Sequence, residues 1–136
     1  MDAPCNTGDG GRLAAFSMVL RHLIDAHQEK AAERLINQCN RVFSRQLLEY
    51  PVIAWHARSS YVVRNRLRRK IDLVPDDPSA DVLISLIPVF NVWCQEGRRS
   101  AVRSVVREMS RLDLIDLAKR PGLDMEVATM IREFID

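Results

Sequence analysis

The chain has 136 residues, of which 47% are hydrophobic and 28% charged, a composition that supports one core of its own and excludes wholesale disorder. Its net charge of +2 decides little, but residues 41 to 70 hold 8 of the 20 Lys and Arg and only 1 of the 18 acids. The positive excess is therefore local, and it can steer acidic partners.

Residues 1–10, rich in Gly, Pro, Asn and Asp and without periodicity, read as a flexible leader before a single helical domain over 11–136. The opening lacks the basic-then-apolar order of a secretory signal, and "GDGG" has neither a preceding strand nor a following GK[ST]. From residue 11, Phe16, Val19, Leu20, Leu23 and Ile24 form one apolar stripe. Leu35, Ile36, Cys39, Val42, Phe43 and Leu47 form a second. The polar "DAHQEK" between them leaves open two helices or one long one across residues 11–49.

Pro51 suits the first turn of a further helix that runs to about Ile71, with Val52, His56, Val63, Leu67 and Ile71 on one side. Tyr61 reads as a core or boundary aromatic. Asp77 followed by Pro78 predicts an N-cap and first turn, so residues 79–94 form the next helix. That segment is apolar on nearly every side and must be surrounded. Pro88 would bend or divide it.

Val102, Val105, Val106 and Met109 mark another helix. Ser110 with Asp113 has capping-box spacing ahead of Leu114, Ile115, Leu117 and Ala118. Val127, Met130, Ile131, Phe134 and Ile135 form the stripe of the last helix. No internal repeat is evident. The expected fold is all-α, a compact bundle of about five to seven helices, open to forming a homodimer. Its longest apolar-rich run, residues 82–94, is too short to cross a bilayer.

The segment "LAKRPGLDMEVATMI" resembles a general helix-turn-helix unit, with Ala118, Gly122, Ala128 and Ile131 at the positions that such a unit packs inward. A recognition helix from Asp124 would present Met125, Glu126, Thr129 and Met130, which are poor readers of DNA. Two short packed helices, with Gly122 capping the first, are the simpler reading.

The residues that carry function on this reading are Arg41, Arg45, Arg64, Arg66, Arg68, Arg69 and Lys70, which would converge on an acidic protein surface or on phosphates. Val82, Ile84, Ile87, Phe90 and Trp93 form a second candidate interface, to a partner or to another copy of the chain. Cys5, Cys39 and Cys94 are an odd number without a CxxC pair, so neither a disulfide framework nor a zinc site is expected. Cys39 and Cys94 read as buried apolar groups and Cys5 as an exposed thiol.

His22, His27 and His56 lack metal-ligand spacing, and "PDDPSAD" lacks the ligand alternation of a calcium loop. No catalytic, cofactor or metal residue is assigned. An enzyme would need His56 beside a cysteine or an acid in a pocket. The expected role is non-enzymatic: a cytoplasmic protein-binding regulator, adaptor or inhibitor with no membrane association. The alternative is a nucleic-acid-binding protein that uses residues 41–70 for phosphate contacts.

Overall fold

Polar turns at residues 26–28, 38–40 and 96–98 cut the apolar stripes into short helices. A computed structural model describes residues 8–50, 57–77 and 79–135, the side chains of 8–10, 57 and 58 excepted. Among these residues eight helices follow one another: α1 (Gly8–Asp25), α2 (Glu29–Asn37), α3 (Arg41–Glu49), α4 (Ala57–Leu73), α5 (Leu86–Gln95), α6 (Arg99–Glu108), α7 (Arg111–Ala118) and α8 (Met125–Ile135).

The fold class is all-α, with more helices than the periodicity predicts. Residues 11–49 belong to three helices rather than one or two, because Asn40 starts α3 afresh: its side chain accepts from the Phe43 amide at 2.7 Å. Gly8–Gly10, assigned by sequence to the leader, are already helical, and residues 1–7 lie outside the described residues.

Contacts group the chain into two compact units, Phe16–Ser85 and Leu86–Asp136 together with the chain up to Ala15. In the first, α4 packs on α2 and α3; in the second, α8 packs on α5, α6 and α7. Phe16 meets Phe43 edge to face at 5.4 Å in the first unit. In the second, the α7 cap residue Ser110 accepts from the amide of Asp113, whose buried carboxylate takes both Nε (3.0 Å) and Nη2 (2.5 Å) of Arg12.

Three successive helical segments of one unit recur in the other, contrary to the sequence reading. Residues 16–50 and 86–120 correspond position for position. Both α1 and α5 end in a Schellman turn: Gln28 N–H returns to the Leu23 carbonyl at 2.8 Å and Arg98 N–H to the Trp93 carbonyl at 2.7 Å. His27 (φ 60°) and Gly97 (φ 78°) occupy the left-handed position of each turn.

The next connection also matches, with Cys39 N–H to Ile36 and Met109 N–H to Val106, followed by the caps Asn40 and Ser110. Buried positions agree likewise: Leu20 and Phe90, Leu23 and Trp93, Leu35 and Val105, Ile36 and Val106, Cys39 and Met109, Leu47 and Leu117. Few residues are identical between the halves. What recurs is the burial pattern and the turn geometry.

Two expectations about residues 77–94 change. Asp77 accepts from the amide and hydroxyl of Ser79, closing a turn rather than capping a helix, and Pro78 lies outside the described residues. The helix begins at Leu86, so Pro88 sits in its first turn, where no intrahelical amide bond is lost. It neither bends nor divides the helix.

The two left-handed residues give a direct test of the repeat. Glycine at position 27 removes a Cβ penalty without removing a buried contact, since His27 is exposed. His27→Gly is expected to raise unfolding free energy by about 1 kcal/mol. Gly97→Ala, with no atom within 4 Å of the added Cβ, is expected to lower it by a similar amount through φ alone. Urea midpoints of both variants check this; equal midpoints for all three proteins would contradict the turn assignment.

Candidate binding surface on α2 and α4

Helix α4 buries Ser59, Val63, Leu67, Lys70 and Ile71 and turns Tyr61, Asn65, Arg69 and Leu73 outward at four-residue steps. A stripe with that spacing lies on one face of a helix. Tyr61 is 69% exposed and Leu73 71%, so the reading of Tyr61 as a core or boundary aromatic is corrected. Its neighbour at i+4, Asn65, is polar.

Between α2 and α4 lies an open groove of about 610 Å³, lined by Glu29, Glu33 and Asn37 from one helix and Tyr61, Asn65 and Arg69 from the other. The seven cations expected to converge here have different fates. Arg66 ion-pairs with both Glu33 and Glu29, the latter at 3.4 Å. Lys70 is buried and donates to the carbonyl of Asn37, the last residue of α2, at 2.8 Å. That places a cation where the helix dipole and the unfilled carbonyl both favour one.

Arg41 donates to the Val74 carbonyl at 2.7 Å, and its amide donates to the Asp76 carboxylate at 2.9 Å. Arg45, Arg68 and Arg69 are exposed and Arg64 is half-buried; these four have no ion pair with a described carboxylate. The basic block is thus partly structural. Sequence reasoning missed Glu29 and Glu33, although their i,i+4 spacing places them on one face. Their pairing with Arg66, 33 residues away in the case of Glu33, has no local signal.

Of the expected apolar interface, Val82, Ile87, Phe90 and Trp93 are buried and Ile84 is 48% exposed. Arg98 lies over the Trp93 ring at 5.1 Å from its centroid. In the helix-turn-helix segment, α7 does pack on α8, and Gly122 takes φ 90°. Asn91 fastens the connection by donating to the Gly122 carbonyl at 2.8 Å and accepting from the Asp124 amide at 2.9 Å. Ala128 and Ile131 are buried as expected. Met130 is buried as the apolar stripe of the last helix predicts, not outward or at the margin as a recognition helix would place it, and Glu126 is paired with Arg99.

Cys39 and Cys94 are free and buried. Burial pushes the Cys39 thiol up to about 12, with the nearby Lys70 charge opposing it, and burial also raises Cys94. The Ser79 hydrogen bonds hold the Asp77 carboxyl below its usual value. Among the described residues no group of three or more His, Cys, Asp and Glu could hold a metal ion, and no helix is long and apolar enough to cross a membrane. Pro51, Val52 and His56, together with Cys5, lie outside the described residues. The chain matches no protein-family model, no curated protein and no solved structure.

Two outcomes follow from the Cys39–Lys70 neighbourhood. A folded thiol held neutral to about pH 12, against an ordinary value of 9.0, keeps its contribution in full below pH 9 and loses it as pH rises toward 12. The slope due to this group is about 1.4 kcal/mol per pH unit in that window. It should vanish in Cys39→Ala; identical slopes in the two proteins would contradict it. Lys70→Met removes the donor to Asn37 and is expected to lower stability by about 1–3 kcal/mol in urea denaturation.

Proposed function

We propose that the protein is a non-enzymatic protein-recognition module, of the regulator, adaptor or inhibitor kind, and that it receives its partner in the groove between α2 and α4. The observation that carries this reading is the combination of an open groove, an exposed Tyr61 on its edge and an Arg69 without a carboxylate. A tyrosine supplies contact area at low entropic cost, and arginine takes a carboxylate with two parallel hydrogen bonds. Arg66 already bridges the acidic wall of the groove, so the cations left for a partner are Arg69, which lines the groove, with Arg45, Arg64 and Arg68 outside it. Those groups select an acidic surface. Of the apolar segment at 82–93, Ile84 is one residue that remains open to contact.

Phosphate contact by the same cations is the second reading. Four arginines without a carboxylate favour it, and the engagement of Arg41, Arg66 and Lys70 within the chain counts against it. Photocrosslinking separates the two, with p-benzoylphenylalanine in place of Tyr61 in the full chain added to its native lysate. The expected product is a discrete protein adduct that survives nuclease and is lost on Arg69→Glu. Adducts that nuclease destroys, with binding that collapses between about 50 and 200 mM salt, would overturn protein recognition in favour of nucleic acid.

A further inference from the structure

The repeat draws attention to a second charged row, outside the residues 41–70 on which the sequence reading concentrated. On α6, Arg99, Arg103 and Arg107 recur at four-residue steps, all exposed, and Arg111 opens α7. Consecutive members on α6 stand about 6 Å apart along the helix axis. Arg99 is paired with Glu126, whereas Arg103, Arg107 and Arg111 have no ion pair with a described carboxylate.

The other unit shows that the fold does not require the arginines of α6, although Arg111 of α7 has its counterpart in Arg41. The corresponding positions on α2 are Glu29, Glu33 and Asn37, and the same helix forms there with the opposite charge. In that unit the acids are answered by Arg66 of α4. On α6, Arg103 has arginines at both i−4 and i+4, an arrangement that disfavours the helix. No acid stands in the first turn of α6 to offset it. Arg103 and Arg107 are thus not explained by the folding of α6, and they stand exposed without an ion pair to a described carboxylate. Beside Arg111, Leu112 is 77% exposed, an apolar contact next to the charged row.

We infer that the Arg103–Arg107–Arg111 face is a docking surface for an acidic amphipathic helix of a partner protein. A helix with Asp or Glu four residues apart has the axial spacing of Arg103 and Arg107 on α6, so these two guanidinium groups each meet one carboxylate along a shared direction, while Arg111 follows the turn at Met109 and Ser110 and adds charge from the start of α7. Leu112 receives an apolar neighbour of those acids. A polyanion fits less well. The row offers three guanidinium groups, fewer than the about 6–10 phosphate contacts of strongly salt-dependent nucleic-acid sites. This surface lies in the second unit and does not depend on the α2–α4 groove.

The test is a fluorescence-anisotropy titration of the full chain with three labelled probes: an alanine-rich helical peptide with Glu at i, i+4 and i+8, the same composition with the acids scrambled around the helix, and a single-stranded 20-nucleotide DNA. The striped peptide is expected to bind at least about tenfold more tightly than either other probe. Arg103→Glu with Arg107→Glu should weaken it at least about tenfold. Arg103→Gln with Arg107→Gln, which removes repulsion from α6 and so keeps the fold, should weaken it about threefold or more. Lys30→Glu with Arg132→Glu, the same charge change at other exposed positions, should stay within about twofold. Equal affinity for the scrambled peptide, tighter binding of the DNA, or the same loss in the control pair would overturn the inference.

Discussion

A single backbone constraint recurs in both halves of the molecule: α1 and α5 each end in one left-handed residue, so that the chain turns and the next helix starts from a fixed point. His27 and Gly97 meet it, with the following amide returning to the carbonyl of Leu23 or Trp93. That bond fixes where α2 and α6 begin. Their phase then places Ala32, Leu35 and Ile36, or Val102, Val105 and Val106, on the buried side. The cap at Asn40 or Ser110 sets the third helix in the same way. Glycine accepts the left-handed conformation at little cost, while histidine carries a Cβ penalty, so the two halves solve one geometric problem with different residues.

With the buried side fixed by these turns, surface charge is free to differ, and it does. Glu29 and Glu33 on α2 stand where α6 carries Arg99 and Arg103. In each unit an arginine forms an ion pair between the second helix and the fourth, Arg66 in the first and Arg99 in the second. Exposed pairs of this kind contribute about 0–1 kcal/mol, far less than the apolar positions beneath them. They therefore tune what each face shows to a partner without deciding whether the unit folds. Lys70 differs: it is buried, and its ammonium completes the C-terminus of α2, so its charge belongs to the architecture.

The apolar stripes were legible because burial at three- and four-residue steps needs no tertiary knowledge. Val63, Leu67 and Ile71 on α4, and Val127 and Ile131 on α8, are buried as their spacing predicts. The number of helices was less so. Asn40 interrupts a stripe whose members Leu35, Ile36, Cys39, Phe43 and Leu47 are all buried, because burial can continue across a short turn, whereas Val42, expected in the same stripe, is 67% exposed at the start of α3. The repeat was hidden for a related reason. Leu23 and Trp93, or Cys39 and Met109, fill equivalent places with unlike side chains, and hydrophobic identity is interchangeable where volume can be redistributed. The basic block was visible as composition. The pairing of Arg66 with Glu29 and Glu33, and the burial of Lys70, depend on contacts between residues more than 30 positions apart.

If two copies of one helical unit are built on the same turn, the turn amides must be shielded alike. Residue-resolved amide hydrogen exchange of the native chain measures this most directly. The Gln28 and Arg98 amides, each donating to a carbonyl within its own turn, are expected to be protected well above an unstructured chain and to respond together to mild denaturant within each unit. Exchange at the unstructured rate at either residue would show that its turn does not form, and the account of a repeated unit would fail with it.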